Sequence, residues 1–200
     1  MKIGLFGGTF DPIHNGHLII AEWVREELQL EKIIFIPAGD PPHKQENNIT
    51  SIKHRLAMVN LAIEKNEKFS LSDIEAKKAG KSYTVETLRT LQNKFSSQTN
   101  LFWIIGSDSL LDLPNWFQPD EIVRLAQIIV YPRTNYPVNE AAVRFKNRVL
   151  YVDSPLIDIS STLIRDRIRQ EKSVRYLLPE SVLNYIRREN LYRSRSRRLT

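Results

Sequence analysis

The sequence predicts an α/β protein: a mostly parallel sheet with helices on both faces and a helical C-terminal region. Three observations carry this. Short apolar runs of strand length (KIGLF, KIIFIPAG, NLFWIIG, QIIVYPR, RVLYVDS) recur along the chain. Stretches with apolar residues three or four apart separate most of them. The strand runs are near-continuously apolar, as in strands buried on both faces.

Each element follows from local signals. The first strand spans Lys2 to Phe6. HLIIAEWVREELQL is a helix with Ile20, Val24 and Leu28 on one stripe. KIIFIPAG is the second strand, bounded by proline and glycine. DPPHKQENN is a polar loop, since paired prolines cannot begin a central strand. A helix begins near Thr50, with Ile52, Leu56, Val59 and Ile63 at helical spacing. His54 and Arg55 are read as surface residues of that helix, with no catalytic role.

FSLSDIEA is a further strand, suited to a sheet edge. SYTVETLRTLQNKF is a helix that Ser82 is placed to cap, with Glu86 near the reciprocal capping position. NLFWIIGSDSL is the next buried strand, broken by Gly106, and QIIVYPR and RVLYVDS complete the strands. SSTLIRDRIRQ and PESVLNYIRREN are helical, with Pro179 where a first turn tolerates proline. No repeat or linker divides the chain. Residues 1–192 are read as one domain and 193–200 as a basic, flexible tail.

Composition narrows the class. Of 200 residues, 42% are hydrophobic and 26% charged, as in an ordinary globular protein with a sizeable core. The absence of cysteine excludes disulfides, cysteine-ligated zinc and cysteine nucleophiles, and fits a reducing cytoplasm. No apolar run of about 18 residues predicts a membrane span. The N-terminus lacks the apolar core and cleavage site of a signal peptide. The net charge of +6 belongs to one end: Arg187 to Thr200 holds six arginines and one glutamate, +5, leaving +1 for the rest. RSRSRR is open to a nucleic-acid reading. A solvated terminus is preferred, because no interleaved aromatics accompany it.

The chemistry concentrates after strand one, in GGTFDPIHNGH. In a parallel sheet, ligands sit outside the carboxyl ends of the strands. Gly7 and Gly8 allow another group close to the backbone. The helix starting near Gly16 and His17 offers free N–H groups to an anion, and two histidines add donors. His14 is expected in the loop. The glycines lack G-x-G-x-x-G spacing, and no Gly-Lys-Ser/Thr follows, so neither a dinucleotide fingerprint nor a P-loop is present. No third ligand supports zinc. Near the other end, in ISSTLIR, Ser160 can cap a helix on which Arg165 shares a face with Ser161. Hydroxyls, helix N–H groups and an arginine there suit a second anion. Two such helix starts fit a triphosphate.

GGTFDPIHNGH resembles the signature of the HxGH nucleotidyltransferase superfamily, here His14-Asn15-Gly16-His17, and ISSTLIR resembles its ISSTxxR motif. The resemblance implies a Rossmann-like fold. It also implies transfer of a nucleotidyl group from a nucleoside triphosphate, with release of pyrophosphate. PAGDPPHK, KSYTVETL and IIGSDSLLDLPNWFQPDEI narrow it. With them the chain resembles bacterial nicotinate-nucleotide adenylyltransferases over nearly its whole length, to Tyr192.

That family transfers AMP from ATP to nicotinate mononucleotide, giving nicotinate adenine dinucleotide, with magnesium. The expected partners are therefore ATP and nicotinate mononucleotide, in NAD biosynthesis in the cytoplasm. Mg2+ is expected through the ATP phosphates, with no metal ligands of the chain's own. Gly7, Gly8, Thr9, Phe10, His14, His17, Gly106, Asp108, Arg133, Ser160, Ser161, Thr162 and Arg165 are the expected ATP contacts. Gly106 is expected to let the ribose approach the backbone. Lys44, Tyr83, Thr84 and Trp116 are assigned to the nicotinate nucleotide. Lys44 is to attract phosphate, the helix start at Tyr83 and Thr84 to receive the carboxylate, and Trp116 to stack on the ring. His17, His14 and Lys44 are the catalytic candidates, acting by alignment and charge neutralisation. The alternatives are nicotinamide mononucleotide or pantetheine phosphate as acceptor. A homo-oligomer is compatible with the sequence.

Overall fold

The computed structural model describes residues 1–41, 49–78, 80–134, 136, 144–145 and 148–193. Six parallel strands form one sheet: β1 (Lys2–Gly8), β2 (Lys32–Pro37), β3 (Phe69–Leu71), β4 (Asn100–Gly106), β5 (Gln127–Tyr131) and β6 (Val149–Tyr151). Their order is β3-β2-β1-β4-β5-β6. This is the doubly wound Rossmann order, and the direction of winding reverses between β1 and β4.

Period-two alternation explains the apolar runs. Phe6, Ile33, Phe35, Ile104 and Ile129 point into one core, against helices α1 (Asn15–Glu27), α2 (Ile52–Ile63), α6 (Ser161–Arg169) and α7 (Glu180–Arg188). Their neighbours Ile3, Leu5, Ile34, Ile36, Trp103, Ile105, Ile128 and Val130 point into the other. That face is covered by α3 (Thr84–Lys94), α4 (Ser107–Asp112) and α5 (Pro119–Leu125). Strands buried on both sides need apolar residues at every position, as the sequence has.

Several local expectations change. β1 runs on through Gly7 and Gly8. FSLSDIEA contributes only Phe69–Leu71, at the sheet edge as expected. Ser82 does not cap α3; Tyr83 occupies the N-cap, and the Ser82 hydroxyl accepts the N–H groups of Gly39 (3.0 Å) and Asp40 (3.2 Å). Pro179 is the N-cap of α7, one residue before its first turn. After β4 the chain forms α4, a 3-10 turn Leu113–Asn115 and α5. Six- and seven-residue helices are too short for a periodic signal.

Arg55 is the largest correction. It is 1% exposed, not a surface residue. Its guanidinium donates to three carbonyls: Thr50 (2.9 Å), Thr9 (2.8 Å) and Gly39 (3.1 Å). It thereby ties the loops after β1 and β2 to the start of α2.

Candidate active site

The loop after β1 opens where the winding reverses. His14 is the N-cap of α1, with extended backbone, and is 2% exposed. Its ring stacks on that of half-buried His17 at 3.6 Å between centroids, interplanar 24°. The His14 N–H donates to His17 Nδ1 at 3.3 Å. Nδ1 is therefore an acceptor, and the proton of neutral His17 sits on Nε2. Gly16 permits this arrangement, since a Cβ there would lie 3.1 Å from His14 Nδ1 and 3.2 Å from Ile157.

Both imidazoles are neutral. Burial, then the nearby Arg133 cation, lowers His14 to about 3. Burial first, then His14 and Arg133, also lowers His17 well below its ordinary value. His14 Nδ1 has no hydrogen-bond partner among the described residues. The backbone offers less than expected. The Asn15 N–H is committed to Leu177 O and that of His17 to His14 O, both at 2.9 Å. The imidazoles, not a row of free amides, dominate this helix start.

The HNGH and ISSTLIR motifs meet. Ser160 caps α6, its Oγ accepting the Leu163 N–H at 3.1 Å, as expected. The Ser161 hydroxyl donates to Pro12 O (2.8 Å), and Arg165 donates to Asp11 O (2.7 Å) and Thr162 Oγ1 (3.2 Å). The Ser161 hydroxyl and one Arg165 nitrogen thus hold the HxGH loop rather than pointing free into solvent.

Among the described residues, three adjoining hollows line this edge. His14, Gly16, His17, Arg133, Ile157 and Ile159 border a narrow slot. Tyr131 joins the slot to a cleft of about 230 Å³ over Gly7, Gly8, Thr9 and Gly106. Ser82, Thr84 and Trp116 join that cleft to a pocket of about 380 Å³, completed by Tyr83, Asn115, Phe117, Gln118 and Ile122. Among the described residues a larger groove, about 530 Å³, lies between α6 and α7 and contains none of the motif residues.

The comparisons with known proteins agree with this geometry. The cytidylyltransferase-like family matches residues 5–167. A probable nicotinate-nucleotide adenylyltransferase of Synechococcus sp. (strain JA-3-3Ab) is 43% identical, covering 96% of this chain and 94% of that one. One from Clostridium tetani is 42% identical over 96% and 99%. The chain belongs to the nicotinate-nucleotide adenylyltransferase family. Its fold also matches the Plasmodium falciparum nicotinic acid mononucleotide adenylyltransferase complexed with NaAD. The TM-score is 0.82, over 96% of this chain and 97% of that one, at 21% identity.

The glycines make room for the chain's own side chains. A Cβ on Gly7 would lie 2.5 Å from the Trp103 ring, and one on Gly8 3.0 Å from Phe10. A Cβ on Gly106 would lie 2.4 Å from Asp108 Oδ1. Asp108 in turn faces Arg133 Nε at 3.8 Å. Tyr83, Thr84 and Trp116 come together in one pocket. Lys44 lies outside the described residues, as does the tail from residue 194. Sequence reading missed Tyr131 and Phe117. The Phe117 ring lies 4.8 Å from that of Tyr83, and an exposed aromatic beside Trp116 is the signal that was available.

The neutral His14 fixes a pH dependence. Below pH 6.5 the unfolded chain binds a proton that the native His14 refuses down to about 3. The unfolded state then holds more protons, so stability falls as pH falls through that window. Calorimetry at pH 7 and pH 5 should show a smaller loss for His14→Gln than for the wild type, by about 2 kcal/mol. Equal losses would mean that His14 is protonated in the native state.

Proposed function

We propose that this chain transfers the adenylyl group of ATP to nicotinate mononucleotide, forming nicotinate adenine dinucleotide and pyrophosphate. Its curated relatives carry the name of this activity at 42–43% identity over 96% of the chain. The observation that carries the acceptor is the pocket at the start of α3. It combines a helix N-terminus with the rings of Tyr83, Trp116 and Phe117 and opens into the cleft beside the histidines. Tyr83 makes no side-chain cap, so the first N–H groups of α3 are open to a carboxylate. Trp116 supplies the flat face for a pyridine ring.

The acceptor phosphate is already anionic near neutral pH. Its oxygen bonds to the α-phosphorus as the bond to the bridging oxygen of pyrophosphate breaks, and that oxygen keeps the electron pair. No general base is needed. His17 donates from Nε2–H to an α-phosphate oxygen as charge develops, and His14 assists. A neutral donor needs no proton uptake before it acts. Thr162 and the uncommitted N–H donors of Arg165 hold the β,γ end, Ser161 fastens the loop beside them through Pro12, and Arg133 and Asp108 frame the nucleoside. Lys44 belongs with the acceptor phosphate. Among the described residues no three His, Asp or Glu side chains gather into a metal site. Magnesium would enter with the ATP and would neutralise phosphate charge there. No helix among the described residues is long and apolar enough to cross a membrane. We place the reaction in the cytoplasm, in one domain spanning residues 1–192.

Pyrophosphate release with nicotinate mononucleotide, nicotinamide mononucleotide and pantetheine phosphate tests the acceptor. Nicotinate mononucleotide should give the highest kcat/KM, and a higher value with either rival would replace it. His17→Ala should lower kcat by about 10²–10³-fold, with the KM for ATP changed only a few-fold. A loss confined to KM would remove His17 from the transition state.

A further inference from the structure

The last described turn of the chain reaches back into the HxGH loop. After α7 the Leu191 N–H closes on Ile186 O at 3.0 Å, and the chain turns inward. Tyr192 adopts φ 65°, a left-handed conformation that a bulky residue seldom keeps without support. Its hydroxyl donates to Asp11 Oδ1 at 2.6 Å, across 181 residues of sequence. Burial and the Asp11 carboxylate push the phenol well above its ordinary range, so it remains a donor at any working pH.

Asp11 is 3% exposed and fully engaged. Its Oδ2 accepts the Thr50 N–H at 3.2 Å, and its backbone carbonyl accepts Arg165. The next carbonyl, Pro12 O, accepts Ser161. Asp11 stands three residues before His14. The Tyr192 hydroxyl also meets the Thr50 side chain, whose own N–H is bound to Asp11, and Met58 Sδ at 3.9 Å, a weak acceptor in the core. The 2.6 Å bond to Asp11 is the contact that joins the hydroxyl to the HxGH loop.

We propose that Tyr192 is a positioning residue for adenylyl transfer, fastening Asp11 and so aiming the loop that carries His14 and His17. It touches no substrate, and the proposal rests on the adenylyltransferase reading of the cleft. Removing the hydroxyl leaves the ring packed against the α1/α2/α7 core but takes a donor from Asp11. Misplacement of aligned groups by about 1 Å costs about 10²-fold in rate, so a partial loosening is visible in turnover before it is visible in stability.

The test is Tyr192→Phe in the full chain, read by kcat, by KM for each substrate, by thermal midpoint and by amide exchange at His14. The His14 amide is the donor to His17 Nδ1. Its exchange should speed up about ten-fold and kcat should fall about ten-fold. Both KM values should stay within two-fold, and the midpoint should move little. Adding Tyr192→Phe to Asp11→Asn should lower kcat no further. An unchanged kcat with a lowered midpoint would reduce Tyr192 to packing and overturn the proposal, as would independent losses in the double variant. Faster His14 exchange in a protein that leaves nicotinate mononucleotide untouched would keep the fastening and overturn only the functional reading.

Discussion

A single buried guanidinium sets the geometry on which this site depends. Arg55 spans the loops after β1 and β2 and the entry to α2 through three carbonyl oxygens. Burying an arginine is unfavourable unless its donors are satisfied, and burial does lower its proton affinity, with Asp11 opposing. Its charge is tolerated because the carbonyls converge on it. The carbonyls hold their places because it is there. Ser82 completes the tie from the other side, by accepting the two amides that begin at Gly39. Both loops are thus referred to one fixed point.

The fold explains why the loops lie there at all. In a parallel sheet wound in both directions, the strands on either side of the reversal send their following segments to opposite faces. β1 and β4 are those strands, and a crevice opens between their carboxyl ends. The HxGH loop, the GSDS turn after β4 and the start of α6 gather around it. Neutral, stacked imidazoles in that crevice suit catalysis by alignment. They offer directed N–H donors to phosphate oxygens, and their protonation does not change near pH 7.

The strands and the two motifs were legible because each is a local pattern. Continuous apolar runs report burial on both faces, and HNGH and ISSTLIR are contiguous. The pocket at the start of α3 was partly legible, since Tyr83, Thr84 and Trp116 fall in short recognisable segments. What was not legible depends on contacts between distant residues. Arg55 reads as the solvated start of a helix because its partners are backbone carbonyls, which carry no side-chain signature. Asp11 and Tyr192 are 181 residues apart, and no periodicity links them. Gly7, Gly8 and Gly106 read as ligand approaches; they do line the cleft, and Trp103, Phe10 and Asp108 lie where a Cβ on each would point. A glycine reports that something comes close and does not say what.

The dependence on Arg55 is open to direct measurement. Urea unfolding and steady-state turnover of Arg55→Leu and Arg55→Lys, compared with wild type, separate the tie from the packing. Leucine fills much of the space and leaves the carbonyls without their donor, at a cost of about 3 kcal/mol. Its kcat/KM should fall at least 10²-fold where the protein is still folded. Lysine satisfies part of the set and should fall between. A leucine variant as stable and as active as the wild type would show that the loops are held by something else.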